Sequence, residues 1–415
     1  MHSLPIQAVR HDIVIVGGGL VGASLAIALD GLGLDVALVE AAPAGSLPAV
    51  FDERNLSFAA ATVNALTALG VMQKLSTPTV PIRRIHVSRN GDFGRVKLDA
   101  ADYGREAFGH VVVARAFGDA LEARLSELVR LTRYRPARFV GLEDAGATHR
   151  AIRIDAQIAG HSSPSTQRID ARLVVAADGT RSGIRDALGI AVDQHDYAQT
   201  LFIARIGAQR APDGTAYERF GIDGPTAMLP RGDRHFGVIH GVARCDADAV
   251  MQLSESQWLA RLQSAFGWRV GKLVSSGPRS AYPAIRVVAA RTIAERAMLI
   301  GNAAQTIHPV GAQGFNLGLR DALTLAELIE QGGDDPGDPA LLAAYAERRR
   351  EDRMQTLAFS DGLARITSNE AALLQPLRSL GLVAADTLPA AQAMLVGAAM
   401  GYRPGTPALC REAVR

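Results

Sequence analysis

Four β-branched residues in succession, Ile13-Val14-Ile15-Val16, predict a short strand buried on both faces. The cluster Gly17-Gly18-Gly19 breaks it, and Leu20 to Leu32 then reads as an Ala/Leu-rich helix. Asp35-Val36-Ala37-Leu38-Val39-Glu40 predicts a second buried strand, which completes a βαβ unit. Asn55 to Gly70 is helical in pattern and stops on a glycine. Residues 82–98 alternate apolar and polar around Asn90-Gly91, a hairpin signal. Helical periodicity returns from Ala114 to Thr132. Several strands are predicted over 137–176, the last being Arg172-Leu173-Val174-Val175-Ala176, followed by a β-rich block over 195–245. Met298-Leu299-Ile300 is another buried strand, a long helix starts near Gly314, and the pattern from about residue 340 is helical to the end.

This order predicts a mixed α/β chain, with one doubly wound domain assembled from residues 1–75, 105–190 and 280–335. A β-sheet domain would be inserted from 76–104 and 191–279, and 336–415 would form a helical C-terminal region. No internal repeat or low-complexity tract interrupts it.

Composition narrows the function classes. Forty-four basic residues against 42 acidic ones leave a formal charge of +2, which gives no electrostatic case for a nucleic-acid partner. Cys245 and Cys410 stand far apart, so a disulfide framework, a zinc site and a redox dithiol all lack support, and a cytoplasmic setting fits. The opening residues carry no secretory apolar run, and no stretch approaches the roughly 18 uninterrupted apolar residues of a membrane span. A soluble protein is expected, with peripheral contact at the inner face of the cell membrane left open.

Three motifs carry chemistry. Gly17, Gly19 and Gly22 occupy the fixed positions of G-x-G-x-x-G between the first strand and its helix. Gly17 permits the tight turn, Gly19 lets a pyrophosphate approach, and Gly22 lets the helix pack on the strand. The helix N-terminus offers unpaired N–H groups to phosphate. Glu40 ends the next strand, placed to accept hydrogen bonds from an adenosine ribose, and no cation follows it until Arg54 to favour a 2′-phosphate there. The second motif, Ala176-Ala177-Asp178-Gly179-Thr180, is a bend whose acid can hold loops around a pyrophosphate, though such turns are common.

The third runs from Gly301-Asn302-Ala303-Ala304-Gln305 through His308-Pro309 to Gln313-Gly314-Phe315-Asn316-Leu317-Gly318. Asn302 can bond a sugar-like chain, and the N–H groups near Gly314 to Asn316 open a helix whose dipole suits the carbonyl edge of a flavin. An extended dinucleotide with its AMP half at Gly17–Glu40 and its other half at Asn302–Asn316 is FAD.

These motifs resemble those of the class A flavoprotein monooxygenases, the group that includes p-hydroxybenzoate hydroxylase. The third is similar to that of the ubiquinone-biosynthesis hydroxylases in particular. Phe51-Asp52-Glu53-Arg54, Ile85-His86-Val87-Ser88, Ala227-Met228-Leu229-Pro230, Ser264-Ala265-Phe266-Gly267-Trp268-Arg269 and Arg279-Ser280-Ala281-Tyr282-Pro283 resemble the 2-polyprenyl-6-methoxyphenol hydroxylases. Two positions depart: Asn302 stands where the wider family has aspartate, and Gly311-Ala312 replaces the usual Ala-Gly.

The resemblance implies a p-hydroxybenzoate-hydroxylase-like FAD-binding domain with an inserted substrate sheet. It implies FAD as cofactor, NADPH or NADH as transient electron donor, and O2 as oxidant. The activity implied is hydroxylation of a polyprenylated phenol through a flavin C4a-hydroperoxide, with other ubiquinone-biosynthesis proteins as conceivable partners. By match of motif, Pro309 and the loop to Asn316 lie at the reactive flavin edge, Arg54 and Arg115 contact cofactor or substrate, and Asp178 serves both FAD and NAD(P)H. His308 has two readings: a base for the phenol, or a histidine that bonds a loop carbonyl. Tyr217, Phe220, Met228 and Tyr282 either line an apolar substrate pocket or pack as core. Arg348, Arg349, Arg350 and Arg353 either meet anionic lipid or form a solvated face with Glu347, Glu351 and Asp352. A flavin halogenase is disfavoured because Trp258 and Trp268 form no close pair. A prenyl reductase and a non-catalytic flavin-binding subunit stay open.

Overall fold

A computed structural model describes residues 9–49, 52–156, 165–368 and 374–411. Phe51 of the motif before Arg54, the first eight residues and the last four lie outside the described residues.

The Ile13–Val16 run belongs to strand Val9–Val16, which has Val36–Val39 and Ser165–Ala176 parallel on its two sides. Leu131–Tyr134 extends this sheet beyond Val36–Val39, and Ala297–Leu299 extends it beyond Ser165–Ala176. Side chains alternate across the sheet. Ile13 and Ile15 pack with Leu25, Phe117, Leu319 and Leu323 of helices Leu20–Ala28, Ala114–Leu125 and Gln313–Gly332. Val14 and Val16 point the other way, onto a core containing Ile152 and Ile154 of the antiparallel strand Arg150–Ala156. Both faces are covered, so no polar position interrupts the run.

A second sheet of nine strands is built around the long strand Val192–Ala208, flanked by Phe236–Ala243 and Ser280–Ala289. Pro225–Pro230 and Thr215–Phe220 follow, and then the hairpin Arg84–Arg89 and Arg95–Asp99, which turns as its Asn90-Gly91 pair predicts. One face is closed by helix Glu255–Phe266, whose Trp258, Leu262 and Phe266 pack on Phe202, Met228, Phe236 and Val238. Ser280–Ala289 and Gln305–Thr306 both pair within this sheet, so the chain returns to the parallel sheet between them.

Two segments differ from the periodicity reading. Asn55–Ala59 is a strand and the helix starts only at Ala60, because these residues pair with Gly109–Val113. The helix at Ala114 stops at Leu125, and Leu131–Tyr134 joins the parallel sheet. In both places a partner strand distant in sequence overrides a local pattern.

The C-terminal helices are Pro339–Ser368, Leu374–Thr387 and Pro389–Met400. Among the described residues no single helix is long and apolar enough to cross a membrane.

Candidate active site

A cleft of about 780 Å³ lies between the two sheets, running from Gly17, Gly19 and Glu40 past Arg54, Asp178 and Gly179 to Asn302, Pro309, Gly314 and Phe315. Gly17 has φ +105°, and a Cβ there would overlap the Ala177 carbonyl. A Cβ on Gly22 would overlap the Gly17 carbonyl oxygen, so the helix could not start so close to the strand. The Glu40 carboxylate accepts the N–H groups of Gly18 and Ala42, each at 2.7 Å. It thereby fixes the glycine turn and still has lone pairs free for hydroxyl donors.

The other two motifs are tied to one another. Thr180 and Thr306 share a hydroxyl hydrogen bond at 2.9 Å, and the buried Arg185 donates to the carbonyls of Thr180 and Ala303. Asp178 is pushed above the ordinary carboxylate range by burial, partly offset by Ser182 and by the Ile184 N–H. Among the described residues its Oδ1 has no hydrogen-bond partner, and Asp178 lines the cleft. Such an orphaned buried acceptor is open to a donor from a bound group. A glycine cradle at one end, this orphan in the middle and a helix N-terminus at the other end together fit FAD.

The loop before that helix is held by ion pairs that sequence pattern does not show. Asp321 accepts Gly301 N–H (3.2 Å), Gln305 Nε2 (2.6 Å) and Arg349 Nε (2.9 Å). Asp352 pairs with both Arg320 and Arg349. Burial would raise Asp352, but the two guanidinium groups outweigh it and bring the carboxyl down to about 2. Arg353 donates to Gln305 and to the carbonyls of Ala289 and Ala304, Arg348 pairs with Glu327, and Arg350 pairs with Glu347. Arg349 and Arg353 are thus internal fasteners of the cofactor loop, unavailable to a lipid surface.

Asn316 spends its whole side chain on the protein. Its Oδ1 accepts from Ala59 N–H and Thr62 Oγ1, and its Nδ2 donates to the Ser57 and Ala312 carbonyls. It pins strand Asn55–Ala59 to the helix start, leaving only its backbone for the cofactor. Gly311 and Ala312 both adopt the left-handed conformation, at φ +70° and +51°. Exchanging the glycine and alanine therefore keeps the turn at the cost of a strained alanine.

The remaining sequence-predicted residues fall in different places. Arg54 donates twice to Asp52 (both 2.7 Å) and lies over the Tyr282 ring, whose hydroxyl donates to Asp52 at 2.7 Å. Burial would raise Asp52, but the Arg54 and Tyr282 bonds hold it low. Asp52 is the member of this trio that motif matching passed over. Arg115 is exposed, pairs with Glu53 and does not line the cleft. His308 is 1% exposed and outside the cleft: its Nδ1 accepts the Val310 N–H, its Nε2 faces Gln199 Oε1, and Tyr197 stacks edge-on against it. Burial lowers its pKa to about 4. The ring lines neither cavity and bonds a loop N–H and the Gln199 amide in place of the loop carbonyl expected, so its contacts here are those of a loop brace.

Tyr217 and Met228 are directly opposed across adjacent strands and share one face. That face looks at helix Glu255–Phe266, where Tyr217 meets Phe266 and Met228 is fully buried. Met228 is core, as is Phe220, 2% exposed and absent from the cavity linings, whereas Tyr217 is partly buried and also borders the second cavity.

The face opposite Tyr217 borders a second cavity, of about 120 Å³, between the nine-stranded sheet and Pro309–Gln313. Ile82, Ile85, Phe108, Ala216, Ala227 and Glu218 contribute to its wall. Ser57, Leu229, Ile239, Pro309 and Ala312 line both this cavity and the cleft, so the two are contiguous.

Comparison with known proteins agrees with this geometry. An FAD-binding-domain family model matches residues 10–360. Ubiquinone hydroxylase UbiL of Rhodospirillum rubrum is 33% identical over 407 residues, 96% of this chain and 92% of that protein. The 3-demethoxyubiquinol 3-hydroxylase of Escherichia coli is 29% identical over 385 residues, 90% of this chain and 94% of that one. The crystal structure of p-nitrophenol 4-monooxygenase PnpA from Pseudomonas putida superimposes with a TM-score of 0.76 at 18% identity, covering 96% of this chain and all of that one. With the glycine cradle, the orphaned acceptor and the apolar compartment at the far end of one cleft, this chain belongs to the FAD-binding-domain family and, within it, to the ubiquinone hydroxylases, which are flavin monooxygenases.

Proposed function

We propose that this chain hydroxylates a polyprenylated phenol in ubiquinone biosynthesis, with 2-polyprenyl-6-methoxyphenol as substrate and NADH or NADPH as electron donor. The observation that carries the reading is the apolar second cavity opening directly onto the Pro309–Phe315 end of the cofactor cleft. Bound FAD would supply oxygen activation at that junction. A cavity of about 150 Å³ holds a benzene ring, so one of about 120 Å³ that opens onto the cleft takes part of one aromatic ring, with the remainder and the polyprenyl tail extending beyond it.

The chain's own residues have distinct tasks. The Gly17–Gly19 turn and the helix N-terminus behind it would bind the pyrophosphate, and Glu40 the adenosine ribose. Asp178 and Asn302 would orient the middle of the cofactor, and the backbone at Gly314 and Phe315 would face the flavin carbonyl edge. Ile82, Ile85, Phe108, Leu229 and Ile239 would seat the ring and exclude water from the reacting atoms. The relatives' names support a ubiquinone-type substrate, and they include hydroxylation at ring position 3, so the carbon attacked is set by experiment.

Peripheral membrane contact is part of this proposal, because a polyprenyl tail partitions into lipid. Helices Leu374–Thr387 and Pro389–Met400, with Leu388 between them, expose Leu377, Leu380, Leu388 and Met394, and Ala399 of the second helix lines the ring cavity. Such an apolar face supports shallow docking at an interface.

The test is mass spectrometry of prenylated phenols in cells lacking the protein, with O2 uptake measured on the purified enzyme. Accumulated 2-polyprenyl-6-methoxyphenol, together with substrate-stimulated O2 uptake, is the expected result. Accumulation of a demethoxyquinone would move the hydroxylation to another carbon. Unchanged ubiquinone, with no phenol-stimulated O2 uptake, would refute the proposal.

A further inference from the structure

Glu218 stands out because no cation pairs with it among the described residues. Strand Thr215–Phe220 alternates, with Tyr217 against Phe266 and Arg219 donating to the Ala265 carbonyl on the helix side. Ala216 and Glu218 consequently face the other way, into the ring cavity. Across the sheet Glu218 is opposite Ala227, a small side chain that leaves room above it. Apart from Tyr217, whose ring points away, Glu218 is the only ionisable residue among those lining this cavity.

No ion pair or side-chain hydrogen bond to Glu218 is present among the described residues, and the one group that counters its burial is the backbone N–H of Gly311, which lines the same cavity in the loop beside the flavin edge. A purely structural carboxylate in an apolar wall would be unfavourable without a cation or several donors. Burial outweighs that single N–H and brings its pKa to about 7, where a carboxylate exchanges protons readily at neutral pH.

We infer that Glu218 is the catalytic base that takes the phenolic proton of the substrate, an assignment that rests on the phenol-hydroxylase reading above. In the step, the phenol O–H bond breaks and its proton goes to a Glu218 oxygen. The electron pair left on the phenolate oxygen raises electron density at the ring carbon facing the cleft. That carbon forms the new C–O bond to one atom of O2. The O–O bond breaks: the ring proton lost as aromaticity returns and the Glu218 proton end on the two hydroxyls of the product, while the hydride of NAD(P)H and one proton from solvent go with the second oxygen atom into water, leaving NAD(P)+. Gly311 lines the same cavity as the carboxylate, which places the base beside the loop that shapes the reaction site.

The experiment compares wild type with Glu218→Gln, both as FAD holoenzyme, on a short-chain 2-prenyl-6-methoxyphenol. Glu218→Gln should bind FAD and accept hydride from NAD(P)H, yet form hydroxylated product at least ~100-fold more slowly, with O2 consumption diverted to hydrogen peroxide. Wild-type kcat/KM should rise with pH through an inflection near 7 that the variant lacks. Product formation within about threefold of wild type with an unchanged pH profile would overturn the assignment. If Glu218→Gln fails to retain FAD, ultraviolet titration of the phenol bound to wild type decides. Ionisation near pH 7 supports the assignment, and ionisation only near the ordinary phenol value of about 10 overturns it. Wild type that hydroxylates no prenylphenol would instead refute the underlying functional reading.

Discussion

Replacing Asp321 by alanine tests whether the buried charge network is what holds the cofactor loop. Asp321 is 2% exposed and belongs to a cluster of two carboxylates and two guanidinium groups, with Asp352, Arg320 and Arg349. Without it, two buried arginines share the single acid Asp352, and Gly301 N–H and Gln305 Nε2 lose their acceptor. An uncompensated buried charge costs about 3–5 kcal/mol, and a newly orphaned buried N–H about 1–3 kcal/mol. These overlap, so the net expectation is roughly 4 kcal/mol, which lowers Tm by roughly 5 °C in a chain of this size. The assay is thermal unfolding followed by circular dichroism and by flavin fluorescence release. Flavin should leave before the secondary structure melts, because Gly301–Gln305 carries Asn302, which lines the cleft. The double variant Asp321→Ala/Arg349→Met removes one charge of each sign and leaves Arg320 paired with Asp352. It should therefore be more stable than Asp321→Ala alone by about 1–2 kcal/mol. A loss below about 1 kcal/mol for Asp321→Ala, or a double variant less stable than it, would refute the charge-balance argument.

Other outcomes follow from the same geometry. Gly22→Val places side-chain atoms on the Gly17 carbonyl and should yield protein purified without FAD, read from the absorbance at the flavin maximum. His308 has its pKa lowered from 6.5 to about 4 by burial, so in that window the unfolded chain binds a proton that the folded one does not. Stability must fall as pH drops from about 6.5 to about 4, by up to about 1.4 kcal/mol per pH unit from this residue. Urea midpoints at pH 5 and pH 7 should lie closer together in His308→Gln than in wild type, and hydroxylation should not acquire a new pH limb. Leu377→Asp/Leu380→Asp should reduce sedimentation with anionic vesicles while leaving thermal stability within about 0.5 kcal/mol, since both side chains are exposed. Sedimentation equal to wild type would remove the membrane contact from this face.

What was legible in the sequence was whatever depends on neighbours along the chain. The glycine turn at Gly17, the buried strand Ile13–Val16, the acid at Glu40 and the helix following Gly314 are each specified within a few residues, because turn geometry and periodicity are local. The end-to-end placement of two such motifs then pointed to FAD. Tertiary structure decided the rest. Alternation along Thr215–Phe220 separates Tyr217 from Glu218, but it does not say which face a helix will cover and which will border a cavity. Aromatic and apolar type suggested Tyr217, Phe220 and Met228, whereas the packing of Glu255–Phe266 made Met228 core, drew the Tyr217 ring onto Phe266 and left the carboxylate facing the ring site. His308, one residue before the flavin loop, had a base reading and a brace reading, and its buried partner Gln199 lies more than a hundred residues away. The arginine run Arg348–Arg350 resembled a solvated or lipid-facing surface, and only the packing of Pro339–Ser368 against Gln313–Gly332 turned Arg349 inward to Asp321. In each case the residue's chemistry was written in the chain, but its partner came from a distant segment, and burial beside that partner fixed the role.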